Sequence, residues 1–189
     1  ERYFTNEPDV DLTDRLCEAV LSAVIEAAPV AMKDPTNYDA RAQLMWAGTL
    51  AHNDTLSPGR QQDWSCHGIS HAVSAHFGAA HGAVLAVLFP HWMQHQLSHD
   101  VARFSRFAVQ VMGVDAKTGD EKSRAEAGIR ALRDFFNSLG LPSTLGEFNV
   151  QEKDLERLAD DAPYTAEGTI GFFRPLRRED VLAIYRAAL

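Results

Sequence analysis

The chain has 189 residues, 46% of them apolar and 23% charged, with 26 acidic against 18 basic side chains and a formal charge of −8 with histidine neutral. That acid excess argues against broad binding to a phosphate backbone, which needs a Lys/Arg surface to release counterions. No apolar run reaches the roughly 20 residues that a bilayer-spanning helix needs, so neither nucleic acid nor membrane is an expected partner. Two cysteines, Cys17 and Cys66, cannot build a disulfide framework, and the expected setting is reducing and cytoplasmic.

In chain order, the hydrophobic periodicity predicts helices and almost nothing else. Asp11 to Lys33 carries Leu12, Leu16, Val20, Leu21, Val24 and Ile25 at helical spacing, with Asp11 or Thr13 as a cap and Pro29 as an expected kink or end. Tyr38 to His52 is apolar on most sides, which predicts a buried helix. The Asn, Asp, Ser, Pro and Gly residues of Asn53 to Gln62 predict a loop. Helices follow over Trp64 to Phe77, stopped by Gly78, and over Gly82 to Gln96, interrupted by Pro90. Asp100 to Met112, Lys117 to Leu139, Val150 to Ala159 and Arg178 to Ala188 complete the set, and Thr169 to Phe173 is the single stretch that reads as extended. The expected fold class is all-α, one domain of about eight helices over residues 1–189.

The histidines carry the functional signal. All eight lie between positions 52 and 99, at 52, 67, 71, 76, 81, 91, 95 and 99. His67 and His71, four apart, stand on one helical face a turn apart. His81 follows the Gly78 break, where a helix, a tight turn and a returning helix bring it back toward His67. Two imidazoles converging this way suit a divalent metal, yet a stable site normally takes three or four side-chain ligands. Within the chain, Asp63, His52 and His71 are the candidates for the remainder, and spacing compels none of them. Gly68 and Gly82 beside the histidines invite a reason, such as close approach of a ligand or another backbone. Cys66 reads as a small buried residue.

The run Asp63-Trp64-Ser65-Cys66-His67-Gly68-Ile69-Ser70-His71-Ala72-Val73-Ser74-Ala75, continued by Ala80-His81-Gly82-Ala83-Val84-Leu85-Ala86-Val87-Leu88-Phe89-Pro90, resembles the iron-containing (group III) alcohol dehydrogenases. The resemblance is strongest to their butanol-dehydrogenase and broad-range aldehyde-reductase branch. It extends through Asp14-Arg15, Pro35 to Ala42, Met45-Trp46, Leu50 to Asn53, Ala102 to Phe104, Phe135 to Pro142 and the ending from Pro175. It implies the helical, metal-holding C-terminal domain of a two-domain enzyme whose N-terminal nucleotide-binding domain is absent from this chain. The opening Glu1-Arg2-Tyr3-Phe4, without a methionine, and the lack of a strand-linked Gly-rich loop agree with that expectation. By the same resemblance, His67 and His81 match two of four metal ligands. The other two, an Asp and a His four residues later, are expected just upstream of Glu1. His71 matches the histidine placed near nicotinamide and substrate, a catalytic proton relay.

The implied chemistry is hydride transfer between NAD(P)H and an aldehyde, or between an alcohol and the oxidised cofactor, with Fe²⁺ or Zn²⁺ polarising the oxygen. A homo-oligomer is expected of a chain with an apolar face to cover. Trp46, Trp64, Phe77 and Trp92 are candidate pocket aromatics beside their plainer reading as core, and Asn53 is a candidate site residue beside its plainer reading as a turn. Two rival readings use the same residues: a metal-dependent hydrolase built on His67, His71 and Asp63, and a non-catalytic bundle whose histidines face a partner.

Overall fold

A computed structural model describes residues 1–189. It is all-α: α1 (Asp11–Lys33), α2 (Tyr38–His52), α3 (Ser65–Phe77), α4 (His81–Gln96), α5 (Val101–Gln110), α6 (Glu121–Ser138), α7 (Glu152–Asp160) and α8 (Arg178–Ala188), with one 3₁₀ turn at Leu145–Phe148. The segment that reads as extended contributes a single antiparallel bridge, Ile170 to Leu176. α4 is the central helix. It packs against α3, α6 and α8, while α1 pairs with α2, α5 with α6 and α7 with α8.

Caps explain most boundaries. Asn37, Asp100 and Asp120 each accept a backbone N–H three residues on, which starts α2, α5 and α6 where those side chains stand. Asp120 thereby trims the expected Lys117 start of α6 to Glu121. Pro29 and Pro90 end nothing, since both lie inside continuous helices. A proline forfeits one backbone hydrogen bond, and the remaining bonds of helices 23 and 16 residues long carry the chain through.

The expectation for α2 is corrected. Only Ala40 and Ala47 are buried, while Tyr38 (81%), Met45 (73%) and Trp46 (60%) are exposed. A greasy helix is buried only when neighbours cover it, and α2 packs mainly against α1.

The core gathers around the first residues of the chain. Phe4 is 1% exposed and stacks on Phe104 at 4.7 Å between ring centroids, edge-on to Trp92 at 5.4 Å and within 5.9 Å of Phe173. Its neighbour Tyr3 donates its hydroxyl to Glu18 of α1 at 2.8 Å. Under the same end of α1 lies an ionic cluster. Asp14, 2% exposed, takes Arg60 at 2.8 Å, Arg103 at 3.0 Å and Arg106 at 3.3 Å. This clamp ties α1 to the loop before α3 and to α5, and burying Phe4 delivers Glu1 to the start of α3.

Candidate metal and proton-relay site

The site is assembled at the elbow between α3 and α4. α3 ends at Gly78, whose φ of +62° is the left-handed cap that glycine adopts without a Cβ penalty. Ala80 is extended, with φ −60° and ψ 124°, and α4 begins with His81 itself, one residue before the expected Gly82. The chain therefore reverses in three residues and returns His81 beside the first two turns of α3.

The two ends of this turn converge. His67 and His81 ring centroids are 5.2 Å apart at an interplanar angle of 60°. A nitrogen ligates Zn²⁺ at about 2.1 Å, so two imidazoles on one ion at a tetrahedral angle have centroids about 5 Å apart. The pair fits that spacing. His71 is also drawn in, but differently: its ring is stacked on His81 at 4.6 Å and 1°. Nitrogen lone pairs lie in the ring plane, so two parallel stacked imidazoles do not aim at one common ion. The geometry thus separates His71 from the His67–His81 pair. His71 is exposed, on a groove of about 520 Å³ lined by Trp64, Gly68, Pro163, Ile170 and Phe172. Burial, reinforced by the nearby His71 and His67, pushes the His81 imidazole below its usual range, which favours the neutral form that ligates.

α3 has no side-chain cap of its own at Trp64. Glu1 supplies one. Its carboxylate accepts the Cys66 N–H at 2.5 Å and the His67 N–H at 3.2 Å, and contacts His67 Nδ1. A carboxylate at a helix N-terminus meets free N–H groups and the positive end of the dipole. On the next turn, Ser70 donates its hydroxyl to the His67 carbonyl at 2.8 Å and lies 3.2 Å from His81 Nδ1. Trp64 stands edge-on to His67 at 4.9 Å, and the Arg2 guanidinium lies over the Trp64 ring at 4.9 Å from its centroid.

Several sequence candidates fall elsewhere. Asp63 is fully buried, and its two oxygens accept Ser65 N at 2.8 Å, Ser65 Oγ at 2.5 Å, Phe172 N at 2.8 Å and Phe173 N at 2.9 Å. It is spent on holding the 170–173 loop against α3, so the hydrolase reading loses its carboxylate. Trp92 is fully buried core and donates its indole N–H to Ser65 at 2.7 Å. Cys66 is fully buried, where desolvation raises its thiol well above the usual range. Asn53 caps a turn by accepting Thr55 N. His52, at the end of α2, lines a cavity of about 200 Å³ that Tyr3, Leu21, Leu56, Trp64 and His67 also border. Trp46 lies on the exposed face of α2 and Phe77 packs against the core. Of the two glycines, Gly68 has its reason: a Cβ there would stand 2.4 Å from Ile170 Cδ1, so the loop closes onto bare helix. Gly82 faces open space. His76 pairs with Asp161, His95 with Asp180 and His99 with Asn6.

No group of three or more His, Cys, Asp or Glu side chains is arranged to hold a metal ion. What the chain presents is a converging pair of imidazoles, with Glu1 and Ser70 behind them. Neither of those two is among the candidates that the sequence offers. Ser70 carries a weak signal, three residues after one imidazole and eleven before the other. Glu1 carries none, because only the burial of Phe4 brings it here.

Comparison with known proteins gives a consistent result. The family model described as Fe-containing alcohol dehydrogenase family, C-terminal, matches residues 1–189. The probable NADH-dependent butanol dehydrogenase 2 of Bacillus subtilis is 43% identical over 190 residues, spanning 100% of this chain and 49% of that protein. The NADPH-dependent aldehyde reductase YqhD of Escherichia coli is 34% identical over 158 residues, 84% of this chain and 40% of that protein. The substrate- and cofactor-free structure of the latter superposes with a TM-score of 0.92 at 31% identity, covering 100% of this chain and 49% of that one. The NADH-dependent butanol dehydrogenase A structure from Thermotoga maritima gives 0.89 at 29%, covering 99% and 48%. The chain spans about half the length of the curated relatives it matches.

Proposed function

Since the chain belongs to the Fe-containing alcohol dehydrogenase family and matches its C-terminal region, we propose that residues 1–189 are the helical metal-holding domain of a two-domain NAD(P)-dependent enzyme. That enzyme interconverts an alcohol and its aldehyde, and its nucleotide-binding half belongs to another part of the protein. The observation that carries the reading is the 5.2 Å approach of His67 and His81 across a three-residue elbow, with His71 stacked beside them.

In this reading His67 and His81 supply two of the ligands to a divalent cation, Fe²⁺ or Zn²⁺, whose set is completed by residues outside this chain. Such an ion, when bound, stabilises negative charge on the substrate oxygen. The rest is the work of this chain. His71, at the groove and not in the ligand pair, takes the alcohol proton toward solvent, because an imidazole exchanges protons near neutrality. By the same resemblance, His71 would border the nicotinamide when the cofactor is bound. Trp64 and Phe172 wall the groove. Free, buried Cys17 and Cys66 support a reducing, cytoplasmic setting, and the uncovered apolar side chains of α2 support self-association.

The test is a pair of substitutions in the full-length protein. His67→Ala is expected to lower bound metal at least about tenfold and to lose activity with it, since a ligand disappears. His71→Ala is expected to retain the metal while turnover falls about 10²-fold or more, the usual size of a lost acid–base group. Equal metal loss in both variants, by elemental analysis, would move His71 into the ligand set and end this assignment.

A further inference from the structure

We propose that Glu1 and Ser70 are positioning residues that fix the protons of His67 and His81 on Nδ1, so that both Nε2 lone pairs face the gap between the rings. The inference rests on the metal-site reading above and extends it to two side chains that contact the imidazole pair from behind.

The argument for His81 follows from hydrogen-bond direction. A serine hydroxyl has one hydrogen to give. Ser70 gives it to the His67 carbonyl at 2.8 Å, because a carbonyl can only accept. Toward His81 Nδ1, 3.2 Å away, Ser70 Oγ is left as an acceptor. The proton between them must therefore sit on Nδ1 of His81, and Nε2 carries the lone pair. Ser70 is itself fully buried, so no water replaces it in this role.

The argument for His67 is electrostatic. The Glu1 side chain is 1% exposed and its carboxylate touches His67 Nδ1 while accepting two backbone N–H groups of α3. An ionised carboxylate is acceptor only, so Nδ1 of His67 is the donor and Nε2 is again free. The two supports are joined, since Ser70 is anchored on the backbone of His67 and Glu1 on the N–H of the same residue. One short stretch of α3 thus sets both imidazoles. A neutral histidine side chain in water favours the Nε2–H tautomer, so without these partners each ring would present a proton where a ligand atom is needed. Second partners of metal-bound histidines typically govern affinity by 10–100-fold.

The experiment uses full-length protein stripped of metal and selectively labelled with ring-¹⁵N histidine, followed by Zn²⁺ competition against a chelator. With both partners intact, His67 and His81 are expected to show protonated Nδ1 and unprotonated Nε2. Ser70→Ala should move the His81 proton to Nε2, leave His67 as it was and weaken Zn²⁺ binding about 10–100-fold. Glu1→Gln, which keeps an acceptor oxygen but not the charge, should preserve the His67 tautomer with a smaller loss of affinity, whereas Glu1→Ala should release it. A His81 protonated on Nε2 while Ser70 is present would overturn the proposal, as would unchanged Zn²⁺ affinity in Ser70→Ala. His67→Ala and His81→Ala are the control for the underlying reading. If they bind Zn²⁺ as tightly as the parent protein, the metal site itself is wrong, whatever the tautomers.

Discussion

Asp63 shows how little a residue's chemistry says about its use until its surroundings are known. By type and position it qualifies as a metal ligand beside His67. Its four accepted hydrogen bonds instead make it a strut between the start of α3 and the 170–173 loop. Asp63→Ala would strand four donors, two of them backbone groups of that loop, at about 1–3 kcal/mol for each one left buried and unpaired. We expect a loss of at least about 3 kcal/mol in urea unfolding, with the groove beside His71 deformed. The histidines were legible because spacing alone places them: four residues make one helical turn, and a glycine at position 78 marks the reversal. Glu1 and Ser70 were not, since a glutamate at a chain's first position and a serine in a helix have no periodic signature. Their role exists only once Phe4 is seated and the elbow is closed.

Among the elements, seven of the eight helix starts match the sequence reading to within two residues, because capping side chains and glycines are local signals. The failures have one physical source. Whether α2 is covered depends on what the tertiary structure lays over it, and apolar composition is silent on that. The tie that holds α1 in place was equally hidden, because Asp14, Arg60, Arg103 and Arg106 are far apart in sequence and meet only in the folded chain. The Arg60 side chain is fully buried in that cluster. Asp14→Ala leaves it as an uncompensated charge, which typically costs about 3–5 kcal/mol. Replacing one partner is therefore expected to loosen α1, and with it α2, before α3 and α4 respond. Hydrogen exchange should show early opening confined to residues 11–52.

For the molecule as a whole, the acid side of its stability contains a contribution from His91 that can be signed. Burial, with Arg133 adding to it, pushes His91 down to about 4, against about 6.5 for an unfolded histidine. Between those values the unfolded chain takes up a proton that the folded chain refuses. Stability is then lost as pH falls through 6.5 and continues to fall until about 4. Comparing unfolding at pH 7 and pH 5, His91→Gln is expected to narrow the difference. An unchanged gap would mean that His91 titrates normally.

The edge-on contact between Trp64 and His67 gives the protein a built-in optical gauge. Indole emission is sensitive to a charged or paramagnetic neighbour, and this ring sits 4.9 Å from one of the two imidazoles while Trp46 faces solvent and Trp92 lies in the core. Cobalt(II) arriving at His67 should dim the Trp64 component in proportion to occupancy, and Trp64→Phe should abolish that response. Loading of the site can then be followed in real time, without any label attached.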